Sequence, residues 1–255
     1  MKAIIMGVVQ GLTEFFPVSS TAHLILFPWF FGWSGDIDSL IFDVALHGGT
    51  LLALLICFYR DWIDMLTKNR QMLYYIIIAT IPAGIAGILL KDLVEHTFRS
   101  PVIIIFSLVV FGILMLIAES YSKRLKSRTG GQASLKDYIF IGLAQAIALI
   151  PGVSRSGITI TAGLFRNLTR ESAARFSFLL STPVIGGAVL LEGRKLFNGP
   201  VSYNLELFGV GFIAAFISGF FAIKFLLYFL RKHPMNIFVY YRFLLAAAIL
   251  IAVYK

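Results

Sequence analysis

Charged residues and cysteines are both scarce in this sequence. Of its 255 residues, 14% are charged and 58% are hydrophobic, whereas soluble domains carry about 25% charged residues, so a water-soluble fold is excluded. The single cysteine, Cys57, cannot form an internal disulfide and lies in an apolar run, where we expect it to pack as a small hydrophobic side chain. The alternation typical of membrane-spanning strands is absent, and we therefore expect an all-α, polytopic membrane protein.

Basic residues outnumber acidic ones, which gives a net charge of +9. Their positions between apolar runs are typical of cytoplasmic loops in a membrane protein, and we expect no nucleic-acid partner. The N-terminal apolar segment is interrupted by Gln10 and Glu14 and lacks a small-residue cleavage pattern. We therefore do not expect a cleavable signal peptide.

The apolar runs indicate one integral membrane domain, 1–255, in which two halves follow the same plan. Each half begins with a pair of short apolar segments, interrupted by polar residues, that we expect to form a re-entrant helix-loop-helix. Three runs of roughly 20 residues, long enough to span a bilayer as helices, then follow. The interrupted pairs are 1–12 with 22–33 and the stretch 137–166, and the expected spans are 39–58, 72–90, 101–118, 172–191, 207–230 and 237–254.

A weak internal repeat relates the halves, which cover about 1–119 and 137–255. The aligned residues lie 135 positions apart, as Gly7 and Gly142 do, and the alignment needs no gap. With three spans in each half, the two repeats would have inverted topology, and such proteins build their sites near the membrane midplane. The other aligned pairs are Gln10 with Gln145, Val18 with Val153, Ser19 with Ser154, Thr21 with Ser156, and Gly84 with Gly219.

The segment 120–136 is rich in basic residues and contains no acidic residue. This composition predicts a cytoplasmic loop that joins the halves. The segments 59–71 and 231–233 are also basic, and we expect them on the same side of the membrane. The first re-entrant pair would then enter from the outer face and the second from the cytoplasm. The basic residues of the joining loop are Lys123, Arg124, Lys126, Arg128 and Lys136.

The first polar stretch, 10–23, brings a carboxylate, hydroxyls and an imidazole into this apolar sequence. Burying such groups unpaired in lipid is costly, so a functional site is the default hypothesis. Gln10 and Glu14 lie on one helical face and could hold a Mg²⁺ or Ca²⁺ ion that keeps waters and binds substrate phosphate oxygens. In the alternative, Glu14 caps a helix or pairs with an arginine.

Hydroxyl side chains follow Pro17, which breaks the first helix. His23 lies three residues after Ser20, and this spacing would let the two approach as general base and nucleophile if the second helix starts near Ser20. Alternatively, the hydroxyls satisfy backbone groups freed by the break, and His23 is structural. On the first predicted span, Asp43 and His47 are four residues apart, and we expect them to support the site through other residues.

The second polar stretch, 151–159, surrounds Arg155 with the hydroxyls of Ser154, Ser156 and Thr159. Amides at a helix start together with a guanidinium form an anion site, and the fork of arginine suits phosphate. In the alternative, Arg155 pairs with Glu14, and the two arrangements could represent occupied and empty states. We expect the two polar stretches to meet and form one site.

Together the two stretches resemble the motifs of the bacterial undecaprenyl pyrophosphate phosphatase family, the bacitracin-resistance type, and the likeness in length and span pattern covers the whole chain. The family implies removal of the terminal phosphate of undecaprenyl pyrophosphate, which recycles this lipid carrier for cell-wall synthesis. It also implies Mg²⁺ or Ca²⁺, a polyprenyl pyrophosphate lipid as partner, and an inner-membrane site open to the periplasmic or outer face. A homodimer is left open. The motifs are Gln10-x-x-x-Glu14, Pro17-Val-Ser-Ser-Thr-Ala-His23 and Pro151-Gly-Val-Ser-Arg-Ser-Gly-Ile-Thr159.

By motif position, the resemblance implies Glu14, Ser20, His23 and Arg155 as catalytic residues. It implies Gln10 and Glu14 at the metal, although many family members have Glu where this chain has Gln10. The substrate phosphate would be bound by Ser19, Thr21, Ser154, Arg155, Ser156 and Thr159.

Two reaction routes and a different class of function stay open at this level. Either Ser20 attacks the phosphate with His23 as base, or a water activated by Glu14 or the metal attacks directly. A transporter or flippase of an anionic polyprenyl lipid would also use inverted repeats with broken helices. Release of inorganic phosphate in detergent, where no sidedness exists, separates hydrolysis from transport.

Overall fold

The computed structural model of the chain describes residues 1–90, 93, 98, 100–123, 127–198 and 203–253. Within these ranges the protein is all-helical, with eleven α-helices and no β-structure beyond an isolated bridge between Arg128 and Leu168. Six of the helices are long and apolar enough to cross a membrane. The prediction of an all-α, polytopic membrane protein is therefore confirmed. Arg124 and Lys126 of the predicted joining loop lie outside the described residues.

The first half begins with two helices that are each too short to span a bilayer, of 14 and 12 residues. The break between them falls on residues 16–19, where Pro17 has no N–H to donate to a continuing helix. Three of the helices that follow are candidate spans, close to the predicted bounds. The helices are α1 (Lys2–Phe15), α2 (Ser20–Phe31), α3 (Leu40–Cys57), α4 (Tyr59–Thr67), α5 (Arg70–Leu89) and α6 (Pro101–Ser122).

Helix α4 was not expected, because the segment 59–71 is polar and reads as a basic loop. In the structure, Trp62 and Met65, three residues apart on one face, pack towards the hydrophobic core, while Arg60 and Asp64 stay exposed. A short amphipathic helix satisfies its own backbone and covers the core edge at the same time.

The second half repeats the plan with two short helices and three long ones. The break between the short helices falls on residues 148–154. The candidate spans again agree with the prediction, although α9 is longer than the expected 172–191. The helices are α7 (Leu135–Ile147), α8 (Arg155–Phe165), α9 (Arg170–Asn198), α10 (Leu205–Lys232) and α11 (Asn236–Val253).

Glycines bring the first short helix of each half close to a long helix of the other half. A Cβ atom at Gly7 would lie 2.5 Å from the carbonyl oxygen of Gly211 on α10, and one at Gly142 would lie 2.3 Å from that of Ala79 on α5. Because a bilayer supplies no hydrophobic drive between helices, close backbone contact of this kind is the main source of packing energy.

Ion pairs and a hydrogen bond connect the basic segments at one end of the helix bundle. Arg175 on α9 bonds Asp61 on α4, and the backbone N–H of Gly130 donates to Ser172 Oγ, 3.1 Å away. The segments 59–71 and 120–136, which we expected on one side of the membrane, therefore lie together. The other pairs at this end are Asp137 with Arg128 and Arg166, Glu119 with Arg170, and Glu171 with Arg231.

The contact between α5 and α7 makes Gly142 a sensitive position. We expect Gly142→Ala to destabilise the protein by roughly 1–3 kcal/mol, because the added methyl group meets backbone and the helices must separate. The control is Gly84→Ala on α5, where nothing lies within 4 Å of the added atom; it should be neutral or stabilising by up to about 1 kcal/mol, since alanine favours helix. Thermal unfolding in detergent measures both, and equal midpoints for the two variants would contradict the packing described.

Candidate functional site

The two helix breaks share an uncommon backbone conformation. Ser19 and Ser154 have positive φ angles of 76° and 71°, a region that residues other than glycine rarely adopt. Each serine caps the helix that follows: Ser19 Oγ accepts from the N–H of Ala22 and Ser154 Oγ from that of Gly157, at 3.4 and 3.2 Å. The chain thus turns sharply at both breaks, and the N-termini of α2 and α8 begin immediately afterwards.

The breaks also bond to each other. The N–H of Gly152 donates to Ser19 Oγ over 3.1 Å, and Ser156 Oγ donates to the carbonyl of Phe16 over 3.1 Å. The expected meeting of the two polar stretches is therefore present, and hydrogen bonds on both sides fix their relative position.

Arg242, on α11, also joins the two breaks. The sequence analysis did not identify this residue. Its side chain is fully buried and donates to five backbone carbonyls, at 2.8 to 3.3 Å. An arginine inside a predicted span was the available signal, since a charge at that depth needs partners. The accepting residues are Pro17 in the first break, Gly152 and Val153 in the second, and Ser107 and Leu108 on α6.

Glu14, the last but one residue of α1, is the centre of the polar cluster. Arg155 Nη2 donates to its Oε1 over 2.7 Å, while Ser20 Oγ, at 2.6 Å, and Gln10 Nε2, at 3.1 Å, donate to its Oε2. His47 Nε2 lies 3.5 Å from the same Oε2. The pairing of Glu14 with Arg155 considered above is thus the arrangement in this structure, and it also joins the two breaks.

A cavity of about 190 Å³ opens beside this cluster. Its apolar wall comes mainly from α5 and α9, and its polar wall from the two breaks, the ends of α1, α2 and α8 beside them, α3 and α7. A larger cavity of about 330 Å³ lies at the ion-paired end, but no residue of the two polar stretches lines it, so the smaller cavity, which both stretches line, is the better candidate site. The polar residues that line the smaller cavity are Glu14, Ser19, Ser20, Thr21, His47, Gln145, Ser154 and Arg155.

His23 is engaged elsewhere. Its Nδ1 lies 2.7 Å from the carbonyl oxygen of Ser19, and its Nε2 lies 2.7 Å from the hydroxyl of Tyr241, on which the ring also stacks. Neither nitrogen bonds to Ser20, and the side chain does not line the cavity with Glu14. These contacts give no support to the predicted Ser20–His23 pair of nucleophile and base.

His47 is instead the imidazole beside Glu14. Its Nδ1 is 2.8 Å from the carbonyl oxygen of Asp43 and must carry a hydrogen to donate there, which leaves Nε2 facing Glu14. We expected His47 to act through other residues, but its side chain lines the cavity directly.

Two hydroxyls expected to bind phosphate bond to the protein. Thr159 Oγ1 donates to the carbonyl of Arg155 over 2.7 Å and lies 2.6 Å from Ser177 Oγ. Ser156 Oγ donates to Phe16, as described above. Neither residue lines the cavity. In this structure both hydroxyls instead hold the breaks in place.

The described residues contain no group of three or more His, Cys, Asp or Glu side chains arranged to hold a metal ion. Side-chain oxygens at the cluster include the Glu14 carboxylate, which lines the cavity, and Gln10 Oε1, which lies behind the lining and has no hydrogen-bond partner among the described residues. Such a donor set fits a Mg²⁺ or Ca²⁺ ion that draws its remaining ligands from water and phosphate oxygens, not one enclosed by protein.

Comparisons with known proteins agree on one family. A family model described as "Bacitracin resistance protein BacA" matches residues 3–248. A protein of Thermodesulfovibrio yellowstonii named undecaprenyl-diphosphatase is 56% identical over 248 residues, which cover 97% of this chain and 95% of that protein. Proteins of the same name from Rubrobacter xylanophilus and Desulforudis audaxviator are 44% and 43% identical, each over 98% of this chain and 96% of the relative.

Since Arg242 joins the breaks, replacing it should unfold or loosen the site. We expect Arg242→Met to cost about 3 kcal/mol or more, because the carbonyls of both breaks lose their donor inside the protein. The control is Arg231→Met, which breaks an exposed ion pair with Glu171 and should change stability by less than about 1 kcal/mol. Chemical unfolding in detergent, followed by circular dichroism, compares the two variants. If Arg242→Met is as stable as the wild type, Arg242 does not hold the breaks together.

Proposed function

The chain belongs to the bacitracin resistance protein BacA family, and on this premise we propose that it hydrolyses undecaprenyl pyrophosphate to undecaprenyl phosphate and inorganic phosphate. The names of its relatives support this substrate. The observation that carries the proposal is the cluster in the cavity, in which one carboxylate bonds both a hydroxyl and a guanidinium. These are the groups that phosphoryl transfer to a serine requires.

In this reaction Ser20 Oγ attacks the terminal phosphorus, and its proton passes to Glu14 Oε2, to which it already donates a hydrogen bond. The bond between that phosphorus and the bridging oxygen breaks, and undecaprenyl phosphate leaves. Water then hydrolyses the phosphoserine, which frees inorganic phosphate and returns the proton to Ser20. Glu14 thus takes the part of the base that the sequence suggested for His23.

Positive charge and helix ends balance the charge of the pyrophosphate. Arg155 turns from Glu14 to the phosphate oxygens when substrate enters, and its fork suits two of them. The helices α2 and α8 both start beside the cavity, at Ser20 and Arg155. Their free N–H groups favour an anion, and Ser19, Thr21 and Ser154 add polar groups at the same ends.

His23 has a positioning part in this scheme. Its two bonds tie the carbonyl of Ser19, immediately before Ser20, to Tyr241 on α11. The imidazole therefore helps to set the direction of the Ser20 side chain without touching the substrate.

A divalent cation, Mg²⁺ or Ca²⁺, belongs to the proposed reaction, with Gln10 and Glu14 as its protein ligands. When bound, such an ion neutralises charge that develops on phosphate oxygens. The unpartnered Gln10 Oε1 supports this assignment.

The finer architecture that we propose is an inverted repeat, in which α1–α2 and α7–α8 are re-entrant pairs. Several observations support it. Ser19 and Ser154, 135 residues apart, share their φ angles and capping bonds. Gly7 packs on Ala214, and Gly142 packs on Ala79, which lies 135 residues before Ala214. We further propose that the protein lies in the bacterial inner membrane, with its cavity open to the outer face, where it receives the polyprenyl lipid.

The serine route and the water route differ at one position. If Ser20 is the nucleophile, Ser20→Ala should lower phosphate release about a thousandfold or more, as Glu14→Ala and Arg155→Ala should, because these groups act as a unit. Ser181→Ala is the matched control, since this buried hydroxyl donates to the carbonyl of Phe178 on its own helix, and its loss should leave the rate unchanged. Most of the activity retained in Ser20→Ala, with Glu14→Ala inactive, would establish attack by water.

The proposed cation makes activity sensitive to chelators. Purified protein treated with EDTA should release almost no phosphate from undecaprenyl pyrophosphate, and Mg²⁺ or Ca²⁺ should restore release. Gln10→Leu should raise the cation concentration needed for half-maximal rate, because one of two protein ligands is lost. Full activity in excess chelator would rule out the cation, whereas no release by well-folded protein under any condition would favour lipid transport.

A further inference from the structure

We propose that Gln145, on α7, is an additional substrate-binding residue whose side-chain amide donates to the pyrophosphate group. The inference rests on the proposed function, since it assigns a further contact in the same cavity. Gln145 lies outside both polar stretches, 10–23 and 151–159, and is the residue that aligns with Gln10 in the internal repeat.

The first observation is that Gln145 is buried and unpaired. Its side chain is 2% exposed, and neither Nε2 nor Oε1 has a hydrogen-bond partner among the residues that the structure describes. An amide buried in this way makes the folded protein less stable than a satisfied one would. A polar group kept at this cost is expected to have a partner that binds from outside.

The second observation is the position of the residue. Gln145 lines the cavity that also holds Glu14, Ser20 and Arg155. Phosphate oxygens accept hydrogen bonds and the Nε2 group offers two donors, so the amide suits the ligand proposed for this cavity. Unlike Arg155, it is neutral and is not drawn away by Glu14 in the empty state.

The internal repeat explains why the amide is free. Gln10, its counterpart in the first half, donates to Glu14, four residues further along the helix face. Four residues after Gln145 the chain has Leu149, which also lines the cavity but cannot accept a hydrogen bond. The same residue type therefore orients the carboxylate in the first half and is left available to a ligand in the second.

The test is the kinetics of Gln145→Leu on undecaprenyl pyrophosphate. We expect KM to rise about ten- to a hundredfold, the effect of losing a hydrogen bond to a charged group. The change in kcat should be less than about threefold, because the contact exists before and during reaction. The unliganded variant should unfold at the same temperature as the wild type or higher, because an unpaired buried amide has been removed.

Thr161→Val is the matched control. Thr161 Oγ1 is also buried without a partner in the described part of the chain, but it lies on α8 and does not line the cavity. Its removal should leave KM unchanged. A KM of Gln145→Leu equal to that of the wild type would overturn the proposal, and the amide would then be satisfied by water alone.

A second variant, Gln145→Glu, tests whether the side chain donates to the ligand or accepts from it. It also provides the test if Gln145→Leu does not fold. A carboxylate there repels phosphate, so we expect KM to rise more than in Gln145→Leu; a lower KM would overturn the proposal, because the ligand would then be a cation.

The failure of the proposed function is distinguishable, since it would appear as no phosphate release by the wild type and Thr161→Val alike. In that case, stabilisation by inorganic pyrophosphate on heating, present in the wild type and lost in Gln145→Leu, still supports the assignment, and equal stabilisation overturns it.

Discussion

The buried guanidinium of Arg242 is the interaction on which the site depends. Two broken helices leave carbonyl groups without partners inside an apolar bundle, where each would cost several kcal/mol. Arg242 supplies donors to carbonyls of both breaks and of α6 at once. In return, the carbonyl dipoles stabilise a charge that could not otherwise be buried there. The breaks and the arginine are therefore stable only together, which makes the position of the site part of the fold.

This arrangement also determines how the charges beside the empty cavity are compensated. Holding the breaks together brings Glu14 and Arg155 within 2.7 Å of each other, so both charges are compensated without a ligand. In the reaction that we propose, a phosphate group competes with this carboxylate for the guanidinium, and the carboxylate released is the group that accepts the Ser20 proton. Binding of the anion and activation of the hydroxyl are thus coupled through one residue, because Glu14 has one oxygen on each partner.

Much of the fold follows from the sequence, because the length of an apolar run decides whether a helix can span a bilayer. The two breaks were also predictable, since polar residues beside Pro17 and Pro151 interrupt such runs. The features that depend on distant contacts could not be predicted from the sequence. The amphipathic α4 needs a core edge to cover, His23 turns to Tyr241, 218 residues away, and the carbonyls bound by Arg242 are set by packing that no local pattern reveals.

In the proposed repeat, the two halves carry different functional side chains at equivalent positions. Ser20 and Arg155 are 135 residues apart, and each is the first residue of the helix after a break. They reach Glu14 from these two equivalent places, one as a hydroxyl and one as a cation. The position equivalent to Glu14 is Leu149, so the second half contributes no carboxylate that would repel phosphate. In the inverted repeat and the reaction that we propose, equivalent backbone positions with unequal side chains present a nucleophile and a counter-charge to the same anion, which two identical halves could not do.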